Sequence, residues 1–158
     1  MLDTHGNALV VRTSAFFGPW DAHNFITQAM QALVSGQPFA AANDVIVTPT
    51  YVPDLVHTCL DLLIDRKTGI WHLTNGKALT WANLALKASE MAGIDAGTLH
   101  ARPQREMNCQ APRPSYGALH SDRGMLLPSL DDALSRYFRM QQEAELTDES
   151  RQAVGSQG

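Results

Sequence analysis

The sequence predicts an α/β domain, and three observations carry that reading. Leu9–Ser14 is a short valine-rich run of the length and composition of a buried strand, suited to a parallel sheet. A second β-prone run, Ile70–Thr74, follows far downstream, with Gly69 before it and Asn75-Gly76 after it. Between and beyond these runs, apolar residues recur at three- and four-residue steps, the mark of helices that bury one face. Strand alternating with helix places the chain in the α/β class.

Taken in order, the strand Leu9–Ser14 ends at the Gly18-Pro19 turn. Asn24 stands just before the first helix, whose buried face is predicted to carry Phe25, Ile26, Ala29, Met30, Leu33 and Val34. Gly36 stops it, with Pro38 beyond. Phe39–Ala42 and Val45–Thr48 are short β-prone stretches around an Asn43-Asp44 turn signal, and they are expected to pair with each other as an irregular hairpin.

Pro53-Asp54 opens a second helix, with Asp54 expected as its cap and Leu55, Val56, Cys59, Leu60, Leu62 and Leu63 as its apolar positions. Arg66 and Lys67 close it, where the helix dipole favours cations. Thr80 caps a third helix carrying Trp81, Leu84, Ala85, Ala88 and Met91, stopped by Gly93. Ile94–Leu127 shows no sustained period and reads as a long ordered loop with one short strand or helical turn. Ser129 caps a last helix with Leu130, Ala133, Leu134, Tyr137 and Phe138 on its buried face. The domain is expected to span residues 1–142, with 143–158 a polar, disordered tail.

Composition excludes several function classes. The net charge of −4 offers no concentrated basic surface for nucleic acid or an anionic membrane. No apolar run approaches the ~20 residues that span a bilayer, and the N-terminus carries no signal-peptide pattern. Two cysteines, Cys59 and Cys109, are too few for a disulfide framework and read as free thiols in the cytoplasm.

Several residues have both a structural and a functional reading. Thr13 and Ser14 sit at the C-terminal end of the first strand, where ligands of open α/β sheets lie, and are candidates for a pocket. Arg12 is expected to be a buried arginine paired to a carboxylate, with a contact at the pocket wall as the alternative. Trp20 and Phe17 either pack in the core or stack on a base or sugar. Arg102, Arg105 and Arg113 belong to a solvated loop surface or clamp a diphosphate. His72 and Cys59 read as packed residues, and Asp21, His23 and His57 lack the spacing of metal ligands.

Four stretches, in order, bear a family likeness. They are Val11–Pro19, Thr48–Leu55, Gly69–Asn75 with Thr80–Ala85, and Arg113–Leu119 with Leu127–Leu134. Together they resemble the C-terminal, sugar-nucleotide-binding part of the dTDP-4-dehydrorhamnose reductase family, within the extended short-chain dehydrogenases. The resemblance implies an incomplete extended short-chain-dehydrogenase fold, mainly its substrate-binding portion, with the dinucleotide-binding Rossmann half absent. The intact family enzyme reduces a 4-keto group on a dTDP-deoxysugar with NADP or NAD, using a Tyr-x-x-x-Lys pair.

Only Met1–Asn7 precede the first strand, and neither Gly-x-Gly-x-x-Gly, Gly-x-x-Gly-x-x-Gly nor Tyr-x-x-x-Lys occurs. This chain alone is therefore expected to hold no cofactor, to have no catalytic residue and to be inactive. The resemblance implies a nucleotide-sugar ligand, with Thr13, Ser14, Trp20 and Arg113 in its pocket. It also implies a partner, either the missing Rossmann half or another chain as in a homodimer. Ala15 stands where a rhamnose-forming reductase is expected to carry an aromatic residue. The alternative is a non-enzymatic interaction or dimerisation module derived from the same fold.

Overall fold

The structure, a computed structural model, describes residues 7–107 and 114–155. In chain order the elements are β1 (Leu9–Arg12), β2 (Phe16–Phe17), α1 (Phe25–Val34), β3 (Phe39–Ala42), β4 (Ile46–Val47) and β5 (Thr50–Tyr51). Next come α2 (Val52–Ile64), β6 (Gly69–His72), β7 (Leu79–Thr80), α3 (Trp81–Ala92), β8 (Leu99–Arg102), a 3-10 turn (Gln104–Glu106) and α4 (Leu130–Gly155). The strands pair two by two: β1 with β6, β2 with β5 and β3 with β8 in parallel, and β4 with β7 antiparallel. The α/β class and the parallel setting of the first strand are as the sequence predicts.

Local signals set the helix ends. The Asn24 side chain accepts from the Thr27 amide and starts α1. Thr80 accepts from the Asn83 amide and starts α3, and Gly93 ends α3 at φ 67°, a left-handed conformation that glycine adopts without strain. Ser129 receives the Asp132 amide on its hydroxyl and the Ala133 amide on its carbonyl at the start of α4. The helix then continues through the polar run from Glu143 to Gly155, across the boundary expected at 142/143.

The main core lies between α1, α3 and α4. Phe17, Tyr51 and Tyr137 pack ring on ring at its centre, with centroids 5.2 and 5.7 Å apart, among Ile26, Leu33, Leu84, Leu130 and Leu134. Burial of this kind stabilises by roughly 1.5–3 kcal/mol per large apolar side chain. A smaller cluster, Leu62, Leu73 and Leu127 with Leu9, Val11, Leu55 and Cys59, joins α2 to one face of β1–β6.

Three expectations are corrected. β3 and β4 do not pair with each other: the chain turns at Asn43-Asp44, so that β3 meets β8 and β4 meets β7. The Asn43 amide donates to the Arg102 carbonyl and the Asp44 carboxylate receives the Gln104 amide, which ties this corner to the distant strand rather than to its neighbour. The stretch Ile94–Leu127 holds both a strand and a 3-10 turn. Asp54 does not cap α2, because the helix begins at Val52, with Tyr51 in the cap position and Pro53 in the first turn.

Asp54 instead takes a bidentate pair from Arg136 of α4, at 2.6 and 2.8 Å, and the Asn75 amide at 3.1 Å. These bonds hold the Arg136 guanidinium more firmly in its charged form, against the cost of its part burial. Asn75 also receives the Tyr51 amide and donates to the Pro128 carbonyl. One buried polar knot thus joins α2, the end of β6 and the start of α4.

Candidate functional site

The segment after β1 forms a ridge, and its own hydrogen bonds shape it. Thr13 donates its hydroxyl proton to Thr50 Oγ1 at 3.1 Å, and that hydroxyl donates to the Ser14 carbonyl at 2.7 Å. The Thr50 amide donates to the Ala15 carbonyl at 3.0 Å. Ala15 sits at φ 46°, in the left-handed region that is uncommon for a residue with a Cβ. Ser14 Oγ reaches the Gly117 carbonyl at 3.4 Å, and Ile46 bonds the backbone of Ser115 and Gly117. The sequence thereby brings residues 13–16 against 115–119 at the C-terminal end of a parallel pair.

A cavity lies on each side of this ridge. One, of about 380 Å³, is largely apolar and lined by Ala15, Phe16, Phe25, Ala42, Val45, Trp81 and Met107, with His23, Gln28 and Gln104 as its polar groups. The Phe25 and Trp81 rings lie 4.6 Å apart at its wall. Such a shape, aromatic with a few polar groups, suits a flat ring with hydrogen-bonding edges. The other is an open groove of about 620 Å³ lined by Val11, Arg12, Thr13, Ser14, Tyr116, Gly117, Ala118 and Leu119.

The residues singled out from the sequence are placed as follows. Thr13 and Ser14 line the open groove together. Trp20 stands three-quarters exposed on the turn after β2 and lines neither cavity, whereas Phe17 is buried in the core. Arg113 and Cys109 lie outside the described residues. Arg102 and Arg105 are exposed, with Arg105 3.8 Å from Glu106.

Arg12 corrects its expectation: it is exposed, faces His72 at 3.5 Å, and has no carboxylate partner among the described residues. Cys59 is half-buried, and burial pushes its thiol up, as befits packing rather than attack. Sequence reasoning missed the cavity roles of Phe25 and Trp81 by assigning both to buried helix faces. Each is the first residue after its helix cap, and a side chain there points past the helix end as readily as into the core.

These residues supply groups that can bind and orient a ligand. A tyrosine that protonates a carbonyl oxygen needs a lowered pKa. Tyr51 and Tyr137 are both raised, chiefly by burial, and their hydroxyls are engaged in the core with Met140 Sδ and Thr27 Oγ1. The strand-to-helix passages do not fit a dinucleotide either. β5 runs directly into α2 and β7 directly into α3, and the only glycine between β2 and α1 is Gly18, followed by proline. None offers the glycine-lined turn that cradles a diphosphate. No helix among the described residues is long and apolar enough to cross a membrane.

Comparison with known proteins agrees with this architecture. The spore coat polysaccharide biosynthesis protein SpsK of Bacillus subtilis is 27% identical over 116 residues, covering 73% of this chain and 40% of that protein. A probable dTDP-4,6-dihydroxy-2-methyloxan-3-one 4-ketoreductase of Streptomyces antibioticus is 27% identical over 119 residues, covering 73% and 39%. The crystal structure of dTDP-4-dehydrorhamnose reductase from Bacillus anthracis, in complex with NADP, superimposes with a TM-score of 0.76 at 26% identity, covering 84% of this chain and 48% of that one. The chain spans less than half the length of these relatives. Residues 1–130, which take in β1 to β8 and α1 to α3, match the model described as the RmlD substrate binding domain, and the chain belongs to that family.

Proposed function

We propose that this chain binds a dTDP-deoxysugar. The nucleoside and sugar rings enter the apolar cavity walled by Phe25 and Trp81, and the sugar's reacting end lies over the ridge toward Thr13 and Ser14. The observation that carries this reading is the aromatic-walled cavity beside a polar groove at the C-terminal end of β1. Trp20 and Arg113 are the two further residues assigned to ligand contact, on the family resemblance alone.

Reduction of a 4-keto group then needs NADP or NAD on a nucleotide-binding half that these residues do not supply. The chain's own part is to hold and orient the sugar, and it is inactive alone. A cytoplasmic setting goes with this reading.

Calorimetric titration tests it. dTDP is expected to bind, Trp81→Ala to weaken that binding at least tenfold, and NADP to give no heat. Absence of dTDP binding, or turnover by this chain alone, would overturn the reading.

A specific observation favours a second reading, an interaction module. Val56, Leu60, Leu63 and Ile64 of α2 are about half to three-quarters exposed and lie at helical spacing. A concentration-dependent dimer in sedimentation, with no dTDP binding, would select it.

A further inference from the structure

Arg12 ends β1 and His72 ends β6, and the two are register partners across the parallel pair. Arg12 Nη1 lies 3.5 Å from His72 Nε2. The other ring nitrogen, Nδ1, is 2.7 Å from the His120 carbonyl oxygen. A carbonyl only accepts, so Nδ1 carries the proton, and Nε2 of the neutral ring turns its lone pair toward Arg12.

A guanidinium has five N–H donors in a planar fork. Here it meets one imidazole nitrogen at long range, and no carboxylate among the described residues. The side chain is exposed at the open groove, where Thr13, Ser14 and Tyr116 add hydroxyls. His72 and His120 line an adjoining cavity of about 270 Å³, together with Thr74 and Ser121. The Thr13, Ser14 and His72 Nδ1 protons are already given to Thr50 and to the Gly117 and His120 carbonyls, so the uncommitted donors here, among the described residues, are the Arg12 fork and the Tyr116 hydroxyl, with His72 Nε2 beside them as an acceptor.

We propose that Arg12 and His72 form an oxyanion site that takes a phosphate group, as inorganic phosphate or a phosphate monoester. The guanidinium fork holds two of its oxygens, and Nε2 of the neutral His72 ring accepts from a P–OH of the phosphate while Nδ1 keeps its bond to His120. A tetrahedral group reaches both residues at once. The site shares the open groove with the proposed position of the sugar but needs neither nucleoside nor sugar, and inorganic phosphate, which carries neither, tests it apart from the nucleotide-sugar reading.

The test is a titration of the full chain with sodium phosphate in a phosphate- and sulfate-free buffer. Ionic strength is held constant, and the histidine ring resonances are followed by NMR. The His72 resonances are expected to move along a saturating curve while those of His23, in the aromatic cavity, stay still. Arg12→Gln, at an exposed position, is expected to keep the thermal midpoint and to weaken the binding at least tenfold. Arg12→Lys keeps the charge without the fork and is expected to fall between the two. A drift that does not saturate, an equal curve in Arg12→Gln, or wild-type affinity in Arg12→Lys would overturn the proposed site.

Discussion

On one side of the molecule α1, α3 and α4 close over Phe17, Tyr51 and Tyr137, and each of those rings is at most 2% exposed. On the other, α2 covers one face of β1–β6 with Leu55, Cys59 and Leu62, and little else. The opposite face of that strand pair leaves Ile70 42% exposed, and α2 turns Val56, Leu60, Leu63 and Ile64 outward. α1 and α3 on the first side and α2 on the second carry apolar stripes of similar strength in the sequence. They differ in what lies across from the stripe. The first side has a closed core. The second resembles a layered sheet with one layer in place.

The largest effects test that contrast directly. Tyr137→Ala removes a wholly buried ring and is expected to cost about 3–5 kcal/mol in chemical denaturation. Leu60→Ser, on the outward face of α2, is expected to stay within about 0.5 kcal/mol of wild type. Equal costs would mean that α2 is as deeply packed as α4.

Asp54→Ala ranks next. It strands Arg136 in a partly buried position and unties Asn75, with an expected loss of about 2–3 kcal/mol, below the range for a fully buried pair because Arg136 retains some solvent contact. Both sides of the molecule should loosen together, which hydrogen exchange at α2 and α4 would show.

The smallest effect is electrostatic. A hydrogen bond from Lys87 holds the Asp131 carboxyl below its ordinary pKa of 3.8. A carboxyl lowered in the folded state stabilises the fold above its unfolded pKa and loses that contribution as pH falls through the lowered value. Lys87→Met is therefore expected to be less stable at pH 7 by under about 0.5 kcal/mol, because Asp131 is largely exposed. The gap from wild type should close as pH falls through that lowered value. A gap that persists in acid would assign the effect to the packing of the lysine stem instead.

Much of this contrast was readable in the chain, and part was not. Asn24, Thr80, Ser129 and Gly93 marked helix ends because caps act over three or four residues, within reach of a local reading. The partners of β3 and β4 were not readable, because strand pairing is set by contacts about thirty to sixty residues away and the local turn signal at Asn43-Asp44 argues for the wrong neighbour. Asp54 looked like a cap because Pro-Asp at a helix start usually is one. Its real partner, Arg136, sits on the last helix. The apolar positions of α2 were legible but their exposure was not, because periodicity reports which residues share a face and not whether anything covers it.

The site divides in the same way. Thr13 and Ser14 were legible from their place at a strand end. The aromatic wall of Phe25 and Trp81 was hidden inside helix patterns.

Ala15 repays a last consideration. Its left-handed backbone aims its carbonyl at the Thr50 amide, so the crest between the two hollows is braced by the chain itself. A wall braced in this way has the same outline empty or full. Little disorder is lost on encounter, recognition becomes a matter of fit, and even a guest held by few contacts is selected by its shape.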